Sequence, residues 1–151
     1  EINRNQRRRV VYKLRKALGS LNDRPIGVLG ISFKPDTDDV RDSPAIEVIH
    51  LLQNEGAIVK AYDPQAMDNA ASLLKGVQLC RNSYEVAEGV DALVLATKWN
   101  EFKQLDLQRI HQLMRTPILV DGRNIWDPDR VRTLGFTYYG IGRGVNTHPN
   151  S

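Results

Sequence analysis

IGVLGISFKPDTDDVRDSPAIEVIHLLQNEG, residues 26–56, reads as a strand, a long polar loop and a helix. IGVLGI 26–31 is β-rich and almost continuously apolar, as a strand covered on both faces is. Residues 43–55 have helix punctuation: Asp42 or Ser43 to cap, Pro44 in the first turn and Gly56 as the stop. Ile46, Val48, Ile49, Leu51 and Leu52 give that helix a wide buried face.

The same alternation continues outward. Strands are expected at AIVKAY 57–62, VQLC 77–80, DALVLAT 91–97, PILVDG 117–122 and FTYYGIG 136–142. Helices are expected at 66–75, 83–89, 106–115 and 128–134, and upstream an amphipathic helix at 3–19, with Gly19 as its stop. Strand and helix alternating about six times imply an α/β fold. The sheet is doubly wound, mainly parallel, six-stranded and Rossmann-like, in the order 3-2-1-4-5-6, preceded by an N-terminal helix. No internal repeat or low-complexity linker interrupts it, and Gly144 to Ser151 reads as a flexible tail.

The chain has 151 residues, 41% hydrophobic and 26% charged, the proportions of one globular domain. No apolar run approaches the roughly 20 residues that span a bilayer, and no signal-peptide pattern is present. Cys80 is the single cysteine, so no internal disulfide can form and a reducing cytoplasm is expected. The start at Glu1 and not Met is expected of a piece of a longer protein.

The net charge of +3 is unevenly spread. Residues 1–24 hold eight Lys/Arg against Glu1 and Asp23, a balance of +6, and the remainder carries −3 from thirteen basic and sixteen acidic residues. Two readings fit the basic segment: a nucleic-acid surface, or a solvated charged helix face, which is the commoner origin of such patterns.

In doubly wound sheets ligands bind beyond the carboxyl ends of the strands, near the reversal of strand order. The segments SFKPDTDDVRDSP, TKWNEF and DGRN fall there, carrying Lys34 and Arg41, Lys98, and Arg123. Cations beside polar and aromatic groups suit a phosphate-bearing ligand. A dinucleotide site of the usual kind needs G-x-G-x-x-G, but Gly27 and Gly30 are followed by Ile31, Ser32, Phe33 and Lys34. Asp63 at the end of the second strand matches either a ribose-binding carboxylate or an Asp-Pro turn. The acidic run Asp36, Asp38, Asp39 and Asp42 lacks the parts of a calcium loop, and is expected to cap the helix and orient Lys34 and Arg41. His50, His111 and His148 show no ligand spacing, so no metal is expected. Cys80 ends a core strand and reads as structural. Trp99 and Phe102 fit packing under the loop or stacking on a base equally well. No nucleophile–base–orienter set is present, so no catalytic residue is assigned and the chain reads as a binder.

GVLGISFKPDTDDVRDSPAIEVI, YDP, ATKWNEF, DGRNIWD and FTYYGIGR, in this order over roughly residues 3–143, resemble the UDP-glucose/GDP-mannose dehydrogenase family. FKP-x-TDD is more similar to members acting on UDP-glucose than to those acting on GDP-mannose or N-acetylated sugars. The resemblance implies an enzyme that oxidises a sugar C6 alcohol twice with two NAD, through a thiohemiacetal on a cysteine outside this chain. It further implies that residues 1–22 end a central helix that builds a homodimer, which explains the basic face better than nucleic acid does. Residues 23–143 would form the nucleotide-sugar-binding domain, with 144–151 a flexible tail. Phe33, Lys34 and Arg123 would bind the UDP-sugar substrate, and Arg41 would reach toward NAD held mainly by the rest of the enzyme chain. Asp121 would orient its loop. The family's nucleophile motif and NAD glycine motif are absent, and Cys80 does not match the nucleophile.

Overall fold

The computed structural model describes residues 4–141. Helix α1 (Arg4–Leu18) is followed by β1 (Pro25–Leu29), α2 (Pro44–Asn54), β2 (Ile58–Tyr62), α3 (Met67–Ala70) and a 3-10 turn at Ala71–Leu73. Then come β3 (Gln78–Leu79), α4 (Ser83–Ala87), β4 (Ala92–Leu95), α5 (Asn100–Lys103), α6 (Leu107–Leu113), β5 (Ile118–Asp121), α7 (Pro128–Thr133) and β6 (Thr137–Gly140). The six strands pair in the order β3-β2-β1-β4-β5-β6, every pairing parallel. The order expected from the alternation of elements is therefore the observed one.

Period-two alternation in the central strands divides the core between the two faces of the sheet. Ile26 and Val28 join Ala92, Val94, Ile118 and Val120 in one layer, under α1 and α2. Leu29, Leu93, Leu95 and Leu119 enter the other with Val86, Phe102, Ile110 and Val131. A Cβ on Gly27 would lie 2.6 Å from Val86 Cγ1, so the missing side chain lets α4 approach β1 closely.

Helix α1 buries Val10, Val11 and Leu14 in the first layer. Its basic residues are not all turned to water: Arg7 is largely covered and pairs with Glu47 of α2, while the exposed Arg15 lies 3.6 Å from Glu55. The helix stops at Gly19, whose φ of +82° suits glycine. At the amino end of β4 the buried Asp91 carboxylate accepts hydrogen bonds from Arg24, Arg115 and Thr116.

Three local expectations change. The helix at 66–75 is the short α3 running into the 3-10 turn. Residues 100–103, expected as loop, form α5, which at four residues is too short to show a helical period. Ser43 stands at the α2 N-cap but makes no side-chain cap bond; its hydroxyl donates to the Ile31 carbonyl at 2.5 Å and ties the helix start to the end of β1. His148, Gly142 of the sixth strand and the tail at 144–151 lie outside the described residues. No described helix is long and apolar enough to cross a membrane.

Candidate functional site

Strands β1, β4 and β5 are neighbours, so the segments that follow them lie side by side at one edge of the sheet. Short bonds hold these segments together. Thr97 donates its hydroxyl to the Ser32 carbonyl at 2.9 Å, and the Gly122 amide donates to the Leu95 carbonyl at 3.0 Å. Gly30, at φ +96°, meets Thr97 so closely that a Cβ would fall 2.5 Å from Thr97 Cβ and 2.6 Å from its backbone nitrogen. The glycine that follows β1 thus serves loop-to-loop packing.

Asp63 settles the choice left open at the end of β2. It is fully buried, and Oδ2 accepts the amides of Ile31 at 2.7 Å and Ser32 at 2.9 Å and the Trp99 indole N–H at 3.2 Å. Oδ1 accepts the amides of Gln65 and Ala66, each at 2.9 Å. Protein donors take both oxygens, so Asp63 is a structural clamp and not a ribose ligand.

The loop beyond Ser32 is internally braced yet exposes its candidates. Ser32 donates its hydroxyl to the Lys34 carbonyl at 2.8 Å, and the Phe33 amide donates to the Asp39 carbonyl at 2.7 Å. Phe33 is 38% exposed, and Lys34 also faces solvent. Arg41 closes on Asp39 through Nε at 3.1 Å and Nη2 at 2.9 Å, while its side chain remains 87% exposed. Those hydrogen bonds hold the Asp39 carboxyl down at about 2. The helix cap expected of the same acidic run is not seen, since Asp42 precedes the N-cap Ser43 and α2 has no side-chain cap bond, whereas Asp39 orients Arg41 as expected. An open depression of about 280 Å³ beside this pair is lined by Phe33, Asp39, Arg41 and Asp42, and another of about 550 Å³ by Thr37, Asp38, Val40, Arg41 and Asn69 among others.

Asp121 organises the third segment. Oδ1 accepts the Arg123 amide at 3.0 Å, and Oδ2 accepts the amides of Ile125 at 2.9 Å and Trp126 at 3.0 Å and the Tyr138 hydroxyl at 2.8 Å. The half-buried Arg123 stands on this frame, next to Asn124. Asn124 Oδ1 is buried without a hydrogen-bond partner among the described residues, an acceptor that the sequence did not single out. Asp36, Asp42 and Asn124 have positive φ of 64°, 53° and 58°. Each costs on the order of 1 kcal/mol and is the kind of strain held at ligand-facing loops. Asp and Asn are the residues that tolerate it, a signal present in the sequence.

Trp99 and Phe102 belong to the core: Trp99 is 6% exposed, Phe102 is fully buried, and the indole N–H also reaches Ser32 Oγ at 3.2 Å. Stacking on a base is excluded for both as they stand. Cys80 is buried, and burial pushes its thiol up, as for a structural cysteine. His50 bonds the Leu73 carbonyl and His111 packs edge-on against Phe136. The described residues contain no group of three or more His, Cys, Asp or Glu able to hold a metal.

Comparison with known proteins adds to this geometry. Residues 27–128 match the UDP-glucose/GDP-mannose dehydrogenase family, UDP binding domain. The chain is 48% identical over 143 residues to a UDP-glucose 6-dehydrogenase of Rhizobium meliloti, covering 94% of this chain and 33% of that one. It is 40% identical over 144 residues to UDP-glucose 6-dehydrogenase TuaD of Bacillus subtilis, covering 95% and 31%. Among solved structures, a UDP-glucose dehydrogenase from Pyrobaculum islandicum superposes with a TM-score of 0.78 at 35% identity, over 92% of this chain and 30% of that one. The chain spans about a third of the length of the curated relatives it matches.

Proposed function

The chain belongs to the UDP-glucose/GDP-mannose dehydrogenase family, and from that footing we propose that it is the nucleotide-sugar domain of an enzyme oxidising UDP-glucose to UDP-glucuronate with NAD. Residues 23–143 form the domain in this reading, and residues 1–22 end the helix leading from the rest of the enzyme, which carries the catalytic cysteine and builds a homodimer. The enzyme works in the cytoplasm.

What supports the reading is the cation-bearing rim at the carboxyl ends of β1, β4 and β5, in a fold that lacks a dinucleotide cradle. Lys34 and Arg123 supply positive charge for the phosphate and sugar groups, and Arg123 can make the paired contacts an ammonium cannot. Phe33 offers an exposed ring beside them. When bound, NAD supplies the hydride acceptor. The residues here do not build its site: the amides after β1 hold Asp63, and Gly30 packs on Thr97. Arg41, held out by Asp39, is the group of this chain that reaches toward NAD bound by the other domain.

Lys34→Ala and Arg123→Ala in the full-length enzyme should each raise KM for UDP-glucose about tenfold or more. Wild-type kcat/KM in either variant would remove that residue from the site. Faster turnover of GDP-mannose or of a UDP-N-acetyl sugar than of UDP-glucose would overturn the choice of substrate.

A further inference from the structure

A doubly wound fold ordinarily presents the first backbone amides after its first strand to a ligand pyrophosphate, and an acidic side chain at the end of its second strand to a ribose. In this chain the two features meet each other. The acid at the end of β2, Asp63, turns inward and seats Oδ2 on the successive amides of Ile31 and Ser32, at 2.7 and 2.9 Å. Successive amides of this kind form an anion-binding concavity. Here a side chain of the domain itself fills it.

We propose that Asp63 is a resident anion standing in for the pyrophosphate, and that it is a positioning residue for the loop that carries Phe33 and Lys34. This rests on the UDP-sugar reading above. The same carboxylate gathers two segments of the rim and the turn after β2. It holds the β1 loop through Ile31 and Ser32, the β4 segment through the Trp99 indole, and the turn after β2 through Gln65 and Ala66. Ser32 passes the constraint on, since its hydroxyl accepts from Trp99 Nε1 at 3.2 Å and donates to the Lys34 carbonyl at 2.8 Å. Lys34 lies two residues beyond the clamp, on a loop with no regular structure of its own. A tethered carboxylate costs no binding entropy and is always present, so the loop is arranged before substrate arrives.

Asp63→Asn is nearly isosteric, but its NH2 must face either the Ile31, Ser32 and Trp99 donors or the Gln65 and Ala66 amides, leaving buried donors unsatisfied. In the full-length enzyme, with active sites titrated, KM for UDP-glucose should rise roughly tenfold or more. Trp99→Phe keeps one aromatic ring but removes the N–H together with the five-membered ring of a core indole, and is the second variant should the first fold poorly; about a two- to fivefold rise is expected. The decisive readout is a cycle with Lys34→Ala. If Asp63 positions Lys34, removing Lys34 costs less in the Asp63→Asn or Trp99→Phe background than in wild type. An undiminished Lys34→Ala factor in both backgrounds, or an unchanged KM in both, overturns the proposal.

Hydrogen exchange without ligand reads the loop independently of substrate. Amides of residues 31–40 should exchange faster in both variants, and wild-type rates would also overturn the proposal. If Lys34→Ala alone leaves KM at its wild-type value, the substrate reading of Lys34 fails, and the exchange result decides the loop claim by itself.

Discussion

The Tyr138 hydroxyl of β6 donates to the Asp121 carboxylate at the end of β5 at 2.8 Å, inside the core and directly beneath the turn that carries Arg123. Asp121 accepts three backbone amides of that turn as well, so one buried carboxylate fixes the turn and the phenol completes its coordination. Tyr138→Phe should cost about 1–2 kcal/mol by denaturant unfolding, because one strong acceptor loses one partner. Asp121→Ala should cost more, about 3 kcal/mol or more, since several buried donors then go unmet. Equal costs for the two variants would remove Asp121 as the organiser of the turn.

At the opposite ends of the strands, Asp91 is expected to set the acid stability of the fold. Hydrogen bonds from Arg115 above all, and then from Thr116 and Arg24, hold its carboxyl below the usual carboxylate range, against burial, which pushes it up. A carboxyl depressed in the folded state stabilises the fold fully above its unfolded value, about 3.9, and loses that contribution as pH falls through the folded value. Urea unfolding of the wild type should therefore weaken below about pH 4, and Asp91→Asn should flatten that part of the profile while lowering stability at neutral pH. Parallel profiles for the two proteins would show that Asp91 does not carry the effect.

Gly30→Ala tests the close approach of the segments that follow β1 and β4. The new methyl would collide with the backbone nitrogen of Thr97 at 2.6 Å, from a φ of +96° that alanine rarely adopts. A loss of about 3 kcal/mol or more is expected, read from the thermal or denaturant midpoint. A loss below about 1 kcal/mol would mean that the strands separate easily there.

Arg41→Ala in the full-length enzyme should raise KM for NAD by more than it raises KM for UDP-glucose, because in the reading proposed above this exposed guanidinium, held by Asp39, serves the NAD side of the cleft. Asp39→Asn should give a weaker version of the same pattern. A larger effect on UDP-glucose would move Arg41 into the sugar site.

Cys80 should resist alkylation near neutral pH in the folded chain and react fully once unfolded, since it is buried and its thiol is pushed up. Cys80→Ala should leave turnover by the full-length enzyme within about twofold. Stoichiometric labelling of the folded chain would contradict the structural role.

Strand order, the covered sheet and the position of the cationic loops were legible from the chain alone. Apolar runs such as ALVL 92–95 and ILV 118–120 and the punctuation by Pro44 and Gly56 are local signals that survive in any tertiary setting. The helix at Asn100–Lys103 was not legible, being a single turn held by the burial of Phe102. Nor were the directions taken by side chains at strand ends. An Asp after β2 reads equally as a ribose ligand or a turn former, and Trp99 reads equally as a stacking surface or a core residue. Their choice depends on which donors come within about 3 Å once the neighbouring strands pair. The sequence by itself determined that cations would crowd one edge of a parallel sheet with no glycine cradle. Only the tertiary structure decided that Asp63 and Asp121 face inward, because buried amides from separate loops had to find an acceptor and those carboxylates were the ones within reach.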